Sequence, residues 1–153
     1  MREECMARGP RWVVDAPPNV AEFFLSLPLL LLPGSTLVLE ECAMVAEIRA
    51  AILEHTVEPS LRIARQTLFP RSRQHHLAVS PESTRVLATG AEQYGPAAPQ
   101  LCDHLSAYYA TTVVLEWHDA FCENPMLLSH ELPEIKVRAF AEYLGVGAQQ
   151  CAD

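Results

Sequence analysis

Residues 102–121 read CDHLSAYYATTVVLEWHDAF, and this stretch decides the fold. It is rich in β-branched and aromatic residues, and its apolar and polar side chains alternate on both sides of a short turn. The pattern predicts two antiparallel strands, at about 101–109 and 113–119. Because these are the two longest strands that the sequence predicts, we expect the hairpin at the centre of a sheet.

The register of this hairpin decides which side chains share a face. A three-residue loop, 110–112, pairs Tyr109 with Val113 and gathers the apolar residues of both strands on one side. A short connection leads to the C-terminal helix, which should therefore lie across that side. The sequence predicts one buried cluster that joins the hairpin to this helix: Leu105, Leu115, Trp117, Val137, Phe140 and Leu144.

The opposite side of the hairpin is polar. In the same register His104 lies opposite His118, and Ser106 lies opposite Glu116. A two-residue turn would instead set His118 across from Asp103. No glycine lies in the turn to favour one turn type, so both registers stay open.

The polar side carries the candidate metal ligands. Two imidazoles across a strand pair, with a carboxylate two residues away, can hold zinc, so His104, His118 and Glu116 are candidates, with His130 as a further ligand. The alternative is a solvent-facing polar surface, since the tight spacing of common zinc motifs is missing. No catalytic residue is assigned, because a mid-strand thiol such as Cys102 rarely has a lowered pKa. No cofactor is expected, with zinc as the alternative.

Outside the hairpin, local signals predict four helices and two further strands. Asn19 and Glu22 have the spacing of a capping box, and Ser80 followed by Pro81 is typical of a helix start. The element order predicts an α+β domain of two layers, a small antiparallel or mixed sheet of about four strands with helices packed on one face. The predicted segments are helices at 19–28, 43–55, 81–94 and 133–144, and strands at 36–40 and 126–129.

The composition of the two ends of the chain is typical of flexible tails. Residues 1–18 are rich in charge and prolines, and residues 147–153 follow the last predicted helix. The sequence therefore predicts a flexible N-terminal tail at 1–18, a single α+β domain at 19–146 and a C-terminal tail at 147–153.

A connector at 56–79 holds the one basic patch of the chain. Four guanidinium groups close together can hold a phosphate or a carboxylate, which makes Arg62, Arg65, Arg71 and Arg73 candidate anion ligands. The alternative is that they pair with some of the nineteen acidic side chains. A connector of this length should contain some extended pieces.

Composition disfavours several classes of function. A formal net charge of −8 and a pI near 5.2 argue against binding nucleic acid or an anionic membrane, because phosphates attract basic surfaces. The five cysteines form no CxxC pair, as is common in reduced cytoplasmic proteins. Residues 23–32, FFLSLPLLLL, have the length of a signal-peptide core, but acidic residues precede them and Pro28 interrupts them. We therefore expect a cytoplasmic protein.

One resemblance is present in the C-terminal half. The run D-H-L-x-x-Y-Y … V-V-L-E-W-H-D-A-F … P-E-x-K-V-x-x-F, residues 103–140, resembles small uncharacterised bacterial proteins in which a hairpin is followed by a helix. It covers about a quarter of the chain, and it implies a bacterial protein but no activity.

These features lead to two hypotheses on function. The first is a small acidic, non-catalytic protein-interaction module, of the inhibitor or immunity type, whose protein partner is basic. The alternative is a metal-dependent or acid/base hydrolase centred on the 102–119 hairpin, which requires a pocket beside the polar side.

Overall fold

The structure is a computed structural model that describes residues 3–6, 8–42, 46–64, 73–93 and 101–151. Its helices are α1 (Val20–Leu30), α2 (Ala46–His55), α3 (Pro81–Glu92) and α4 (Glu134–Leu144). Its strands are β1 (Glu3–Glu4), β2 (Pro10–Val14), β3 (Thr36–Cys42), β4 (Arg62–Ile63), β5 (Gln74–Ala78), β6 (Cys102–Tyr109), β7 (Thr112–Trp117), β8 (Met126–Ser129) and β9 (Ala148–Gln150).

Seven of the strands form one antiparallel sheet in the order β5-β3-β6-β7-β8-β2-β9. The β6–β7 hairpin lies at its centre, and the α+β class is confirmed. The prediction of about four strands is too low. The strands that it missed are short and pair with segments distant in sequence, so no local turn signal marks them.

All four helices pack side chains into one core against the same face of this sheet. In the helix layer α1 lies between α3 and α4, and α2 lies beside α3. The ring centroid of Phe23 in α1 is 5.0 Å from that of Trp117 and 6.3 Å from that of Phe140. The predicted cluster of hairpin and α4 residues is therefore confirmed, but α1 bridges its two halves.

Helix α1 begins as the sequence predicts and ends later. The side chain of Asn19 accepts the Glu22 N–H at 3.0 Å, which caps the first turn. The helix passes through Pro28 to Leu30, because proline removes only one N–H donor and the buried leucines hold the last turn in place. None of the helices within the described ranges is long and apolar enough to cross a bilayer.

Helices α2 and α3 occupy the predicted segments. The first residues predicted for α2, 43–45, and the predicted linker after α3, within 94–100, lie outside the described residues. Ser80 caps α3 through a reciprocal capping box with Ser83 rather than with an acidic residue.

Of the two hairpin registers that the sequence left open, the body of the hairpin has that of the three-residue loop, in which Ser106 pairs with Glu116. The loop differs from the prediction: Tyr109 pairs with Thr112, which leaves a two-residue turn. One extra residue, Val114, forms a β-bulge that absorbs the difference. The strand pairs away from the turn therefore have the register expected for a three-residue loop, although the turn itself has only two residues.

The bulge changes the faces of the two valines at its position. The alternation of β7 predicts Val113 on the face of Leu115 and Trp117, but Val113 is buried with Tyr108 on the opposite face of the sheet, and Val114 joins the core beneath the helices. The alternation of β6 is unbroken, since its pairing with β3 runs without a shift. Tyr108 therefore lies on the same side as Ser106, and Tyr109, the last residue of β6, is 43% exposed.

The segments expected as tails contribute strands to the sheet. β2 pairs with β8 on one side and with β9 on the other, and its Trp12 and Val14 are buried in the core. The alternation of apolar residues in β2 fits this burial, but a strand of five residues needs partners from elsewhere in the chain. The predicted domain boundaries at 18–19 and 146–147 therefore cut through the sheet.

A small second layer covers part of the other sheet face. β1 and β4 form a two-stranded parallel sheet, and the Ala64 N–H donates to the Glu4 carbonyl at 2.8 Å. Below them lies a separate apolar cluster: Val38, Leu61, Ile63, Tyr108 and Val113. β4 and β5 are the extended pieces expected in the 56–79 connector.

Candidate functional site

The sheet face opposite the helices, beside the β1–β4 layer, brings together two imidazoles and three carboxylates. We call this group the histidine–carboxylate cluster: Glu40 of β3, His104 of β6, Glu116 of β7, and His118 and Asp119 just after β7. The two imidazole centroids are 6.3 Å apart. Three adjacent strands thus place five titratable side chains side by side.

The hydrogen bonds of His104 fix its tautomer. Its Nδ1 accepts the backbone N–H of Asp119 at 2.9 Å, so the proton of the neutral ring lies on Nε2. That nitrogen is 3.8 Å from the Glu40 carboxylate. Asp119 has a positive φ of 50°, a conformation that aspartate tolerates in turns. His104 is therefore oriented by the chain reversal after β7.

His118 and Glu116 form an ion pair on the more open side of the cluster, with 3.4 Å between Nε2 and Oε2. The hydrogen bond from His118 lowers the pKa of the Glu116 carboxyl against the opposing effect of burial, and the backbone N–H of Met6 lowers it further. The hydrogen bond to Glu116 raises the pKa of His118, and the charges of Glu116, Asp119 and Glu40 add to this while burial opposes it. The pair is therefore charged across the mildly acidic range.

The same carboxylate holds the N-terminal segment. Oε1 of Glu116 accepts the backbone N–H of Met6 at 2.8 Å, and the Met6 side chain is buried. Together with the β1–β4 pairing, this bond fastens residues 3–6 over the polar sheet face.

A narrow crevice lies at the other end of the cluster, between the sheet and residues 63–64. Glu40, 3% exposed, forms part of its wall and accepts a hydrogen bond from the Gln74 side chain at 3.2 Å. The crevice offers about 10 Å³, the space of about one water molecule. It is too small for an organic substrate.

The structure brings the sequence-predicted metal candidates His104, His118 and Glu116 to one face. His130 follows β8 and is not part of the contacts that define the cluster. Within the described ranges, no three His, Cys, Asp or Glu side chains are arranged so that they could hold one metal ion. Zinc binding by these residues stays a prediction.

The predicted anion patch is only partly described. Arg62 in β4 and Arg73 before β5 are both exposed, while Arg65 and Arg71 lie outside the described residues. The Gln74 side-chain amide donates to the Ile63 carbonyl at 3.0 Å, which links β5 to β4 within the connector. Anion binding there stays a prediction as well.

Sequence reasoning missed a buried polar pair beneath the β1–β4 layer. The Nδ1 atom of His76 lies 3.0 Å from the hydroxyl oxygen of Tyr108, and both residues are buried. Burial lowers the pKa of His76, and the neighbouring His75 lowers it further. His76 in β5 and Tyr108 in β6 lie on strands that flank β3, so only the strand order of the folded sheet reveals this pair.

Sequence reasoning also missed an exposed apolar stripe on the helix layer. Glu22 is the only charged residue of α1, and Leu25 and Leu29 along its outer side are 42% and 41% exposed. Leu32, just beyond the end of the helix, is 36% exposed. On the neighbouring helix α4, Ile135 and Tyr143 are exposed as well. The signal in the sequence is that α1 is apolar on all sides, whereas a helix of a two-layer domain needs only one apolar side.

No protein-family model, curated protein or solved structure matches the chain.

Proposed function

We propose that the protein is a small acidic, non-catalytic interaction module that binds a basic protein partner through the outer face of α1 and α4. The observation that carries the proposal is the stripe formed by Leu25 and Leu29, exposed one helical turn apart on α1, and by Leu32 just after the helix. Contiguous exposed apolar surface on a soluble domain marks interaction sites.

The charge of the chain supports the basic character of the partner. A formal net charge of −8 attracts a positively charged surface over a distance of about one Debye length, about 8 Å at physiological salt. The class of role that we favour is an inhibitor or immunity-type protein that neutralises a basic partner, because electrostatic complementarity supports such binding.

The test compares immobilised wild type with the paired variant Leu25→Gln/Leu29→Gln in recovering a partner from host lysate. Leu53→Gln on α2 is the matched control, because Leu53 is an exposed leucine outside the stripe. We expect the wild type and the control to retain the same partner at low salt, and the paired variant to lose it. A wild type that retains nothing at low ionic strength, or a paired variant that retains the partner fully, contradicts the proposal.

A second candidate is acid/base hydrolysis at the histidine–carboxylate cluster, with or without zinc. It is favoured by the His118–Glu116 pair and by the fixed orientation of His104. The tautomer of His104 favours the metal-free version, because zinc on Nε2 would require that nitrogen to lose its proton. Stoichiometric zinc in protein purified without chelator, lost in His104→Ala and His118→Ala, would support the metal version. A metal-free protein whose Tm is unchanged by added zinc would contradict the metal version.

A further inference from the structure

We infer that the place where residues 3–6 lie is a binding site for an extended peptide, which the chain's own N-terminal segment occupies in cis. We call it the β4-edge site, and it consists of the strand edge at residues 62–64 and the Glu116 carboxylate. It lies on the sheet face opposite the helices, so it is separate from the α1 and α4 surface and does not depend on the proposed function. Its ligand is an extended segment of a partner protein that displaces residues 3–6.

Residues 3–6 are bound in the way that an added strand binds to a sheet edge. Glu4 is the parallel register partner of Ile63, and its carbonyl accepts the Ala64 N–H at 2.8 Å. In this mode of recognition backbone hydrogen bonds provide affinity, and the burial of particular side chains provides specificity. Cys5 is exposed whereas Met6 is 7% exposed, so the site selects the side chain at the position of Met6.

Glu116 provides a positioned acceptor for the bound backbone. Its Oε1 accepts the Met6 N–H at 2.8 Å, while its Oε2 lies 3.4 Å from Nε2 of His118. A hydrogen bond to an ionised acceptor is stronger than one between neutral groups. Because His118 orients the carboxylate from the sheet itself, the acceptor stays in position when residues 3–6 leave.

The β4 edge is also held independently of residues 3–6. Leu61 and Ile63 are buried in the small apolar cluster with Tyr108. The Ile63 carbonyl accepts the Gln74 side-chain amide of β5 at 3.0 Å. These contacts connect β4 to the main sheet, so the β4-edge site is preformed for an incoming peptide.

The N-terminal segment can leave without breaking the main sheet, because β1 is not one of its seven strands. The Gly9 N–H donates to the Met6 carbonyl at 3.1 Å, and Gly9 has a φ of 72°, so a turn connects the segment to β2. A ligand tethered by a short connection has an effective concentration of about 1 mM or more. The segment in cis therefore competes strongly with a peptide in trans, which makes it autoinhibitory.

The test measures the binding of a labelled peptide of residues 1–9, MREECMARG, by fluorescence anisotropy under reducing conditions. Met6→Ala in the protein weakens the competing segment but leaves the β4-edge site unchanged. We expect the peptide to bind this variant about tenfold more tightly than the wild type, because the variant segment loses one buried apolar side chain. Cys5→Ala is the matched control, since Cys5 is exposed on the same segment, and it should bind the peptide as the wild type does.

Two further controls identify the site. The peptide MREECAARG lacks the methionine side chain and should bind Met6→Ala more weakly than MREECMARG does. The double variant Met6→Ala/Glu116→Ala lacks the acceptor and should lose the gain in affinity. Equal affinity of wild type and Met6→Ala for MREECMARG, absence of binding to both included, overturns the inference. So does a gain that persists without Glu116, or equal binding of the two peptides.

Hydrogen exchange on the wild type tests the release of the segment without any substitution. We expect the Met6 and Ala64 amides to exchange through local opening, at rates that do not change with low concentrations of urea. Amides in the middle of β3 should exchange only through global unfolding. If the Met6 and Ala64 amides exchange only through global unfolding as well, the segment does not leave its site and the inference is wrong.

Discussion

Trp117 and His118 are neighbours in sequence whose side chains lie on opposite faces of the sheet. Trp117 is 1% exposed, its ring meets those of Phe23 and Phe121, and its Nε1–H donates to the Asn124 carbonyl at 2.8 Å. We expect Trp117→Ala to lower the free energy of unfolding by about 3–5 kcal/mol, since burial is lost and a cavity remains. Urea denaturation measures the change.

His118→Ala is the natural control for that variant, because it removes a neighbouring ring from the partly open face. We expect it to lower the free energy of unfolding by under about 1 kcal/mol, the usual range for a solvent-screened ion pair. If both variants proved equally damaging, the face assignment of the hairpin would be wrong.

The Glu116–His118 pair should make a pH-dependent contribution to stability. Folding lowers the pKa of Glu116, so its contribution is present above the ordinary value of 4.5 and is lost as pH falls. Folding raises the pKa of His118, so its contribution is present below the ordinary value of 6.5 and is lost as pH rises through the folded value. The coupling should therefore be largest between pH 4.5 and 6.5, at under about 1 kcal/mol.

A double-mutant cycle of Glu116→Gln and His118→Gln, measured at pH 5.5 and pH 9, isolates this coupling. The cycle is needed because His75 and His76 have a lowered pKa in the folded protein, so their protonation destabilises the fold as pH falls below 6.5. A coupling that is larger at pH 9 than at pH 5.5 would contradict the charged pair.

At the scale of the element, one residue of the β6–β7 turn has a backbone conformation that is unfavourable for a residue with a Cβ. Ala110 has a φ of +54°, and Thr111, the other turn residue, is not in the left-handed region. Glycine adopts a positive φ without the steric penalty of a Cβ. Ala110→Gly should therefore raise the unfolding free energy by about 0.5–1 kcal/mol in urea denaturation.

Thr111→Gly is the matched control for the turn. It adds the same flexibility to the unfolded chain at a position where no strain is relieved, so we expect a loss of about 0.5–1 kcal/mol. The argument from backbone strain would fail if the two glycine variants changed the stability in the same direction.

Helices with a capping signal in the sequence were predicted correctly, whereas short strands without a local signal were missed. Asn19 and Ser80 mark helix starts through their own caps, and the structure uses both. β2 and β9 have no such signal, because three to five residues form a strand only when neighbours satisfy their backbone groups. The segments at the two ends of the chain looked like tails for this reason.

At the scale of the whole molecule, the net negative charge should oppose self-association, whereas the exposed apolar stripe should favour it. At neutral pH a net charge of −8 keeps copies apart, whereas near the pI of about 5.2 this repulsion disappears. We expect association near pH 5.2 that is weaker in Leu25→Gln/Leu29→Gln than in the wild type, measured by light scattering. Leu53→Gln should behave as the wild type, and equal association of all three proteins would show that the stripe takes no part.

The sequence by itself determined the fold class and the central hairpin. These follow from alternation and caps, which act over a few residues. It also placed His104 and His118 on one polar face, because alternation makes His104, Ser106, Glu116 and His118 share a side.

Only the tertiary structure decided which surfaces are covered. The bulge at Val114 placed Val113 beside Tyr108 on the face opposite the helices, and the N-terminal segment covered Glu116 through Met6. The packing of α1 between α3 and α4 left Leu25 and Leu29 facing outward although the helix is apolar on all sides. Burial depends on partners from distant parts of the chain, and a local pattern holds no information on where they lie.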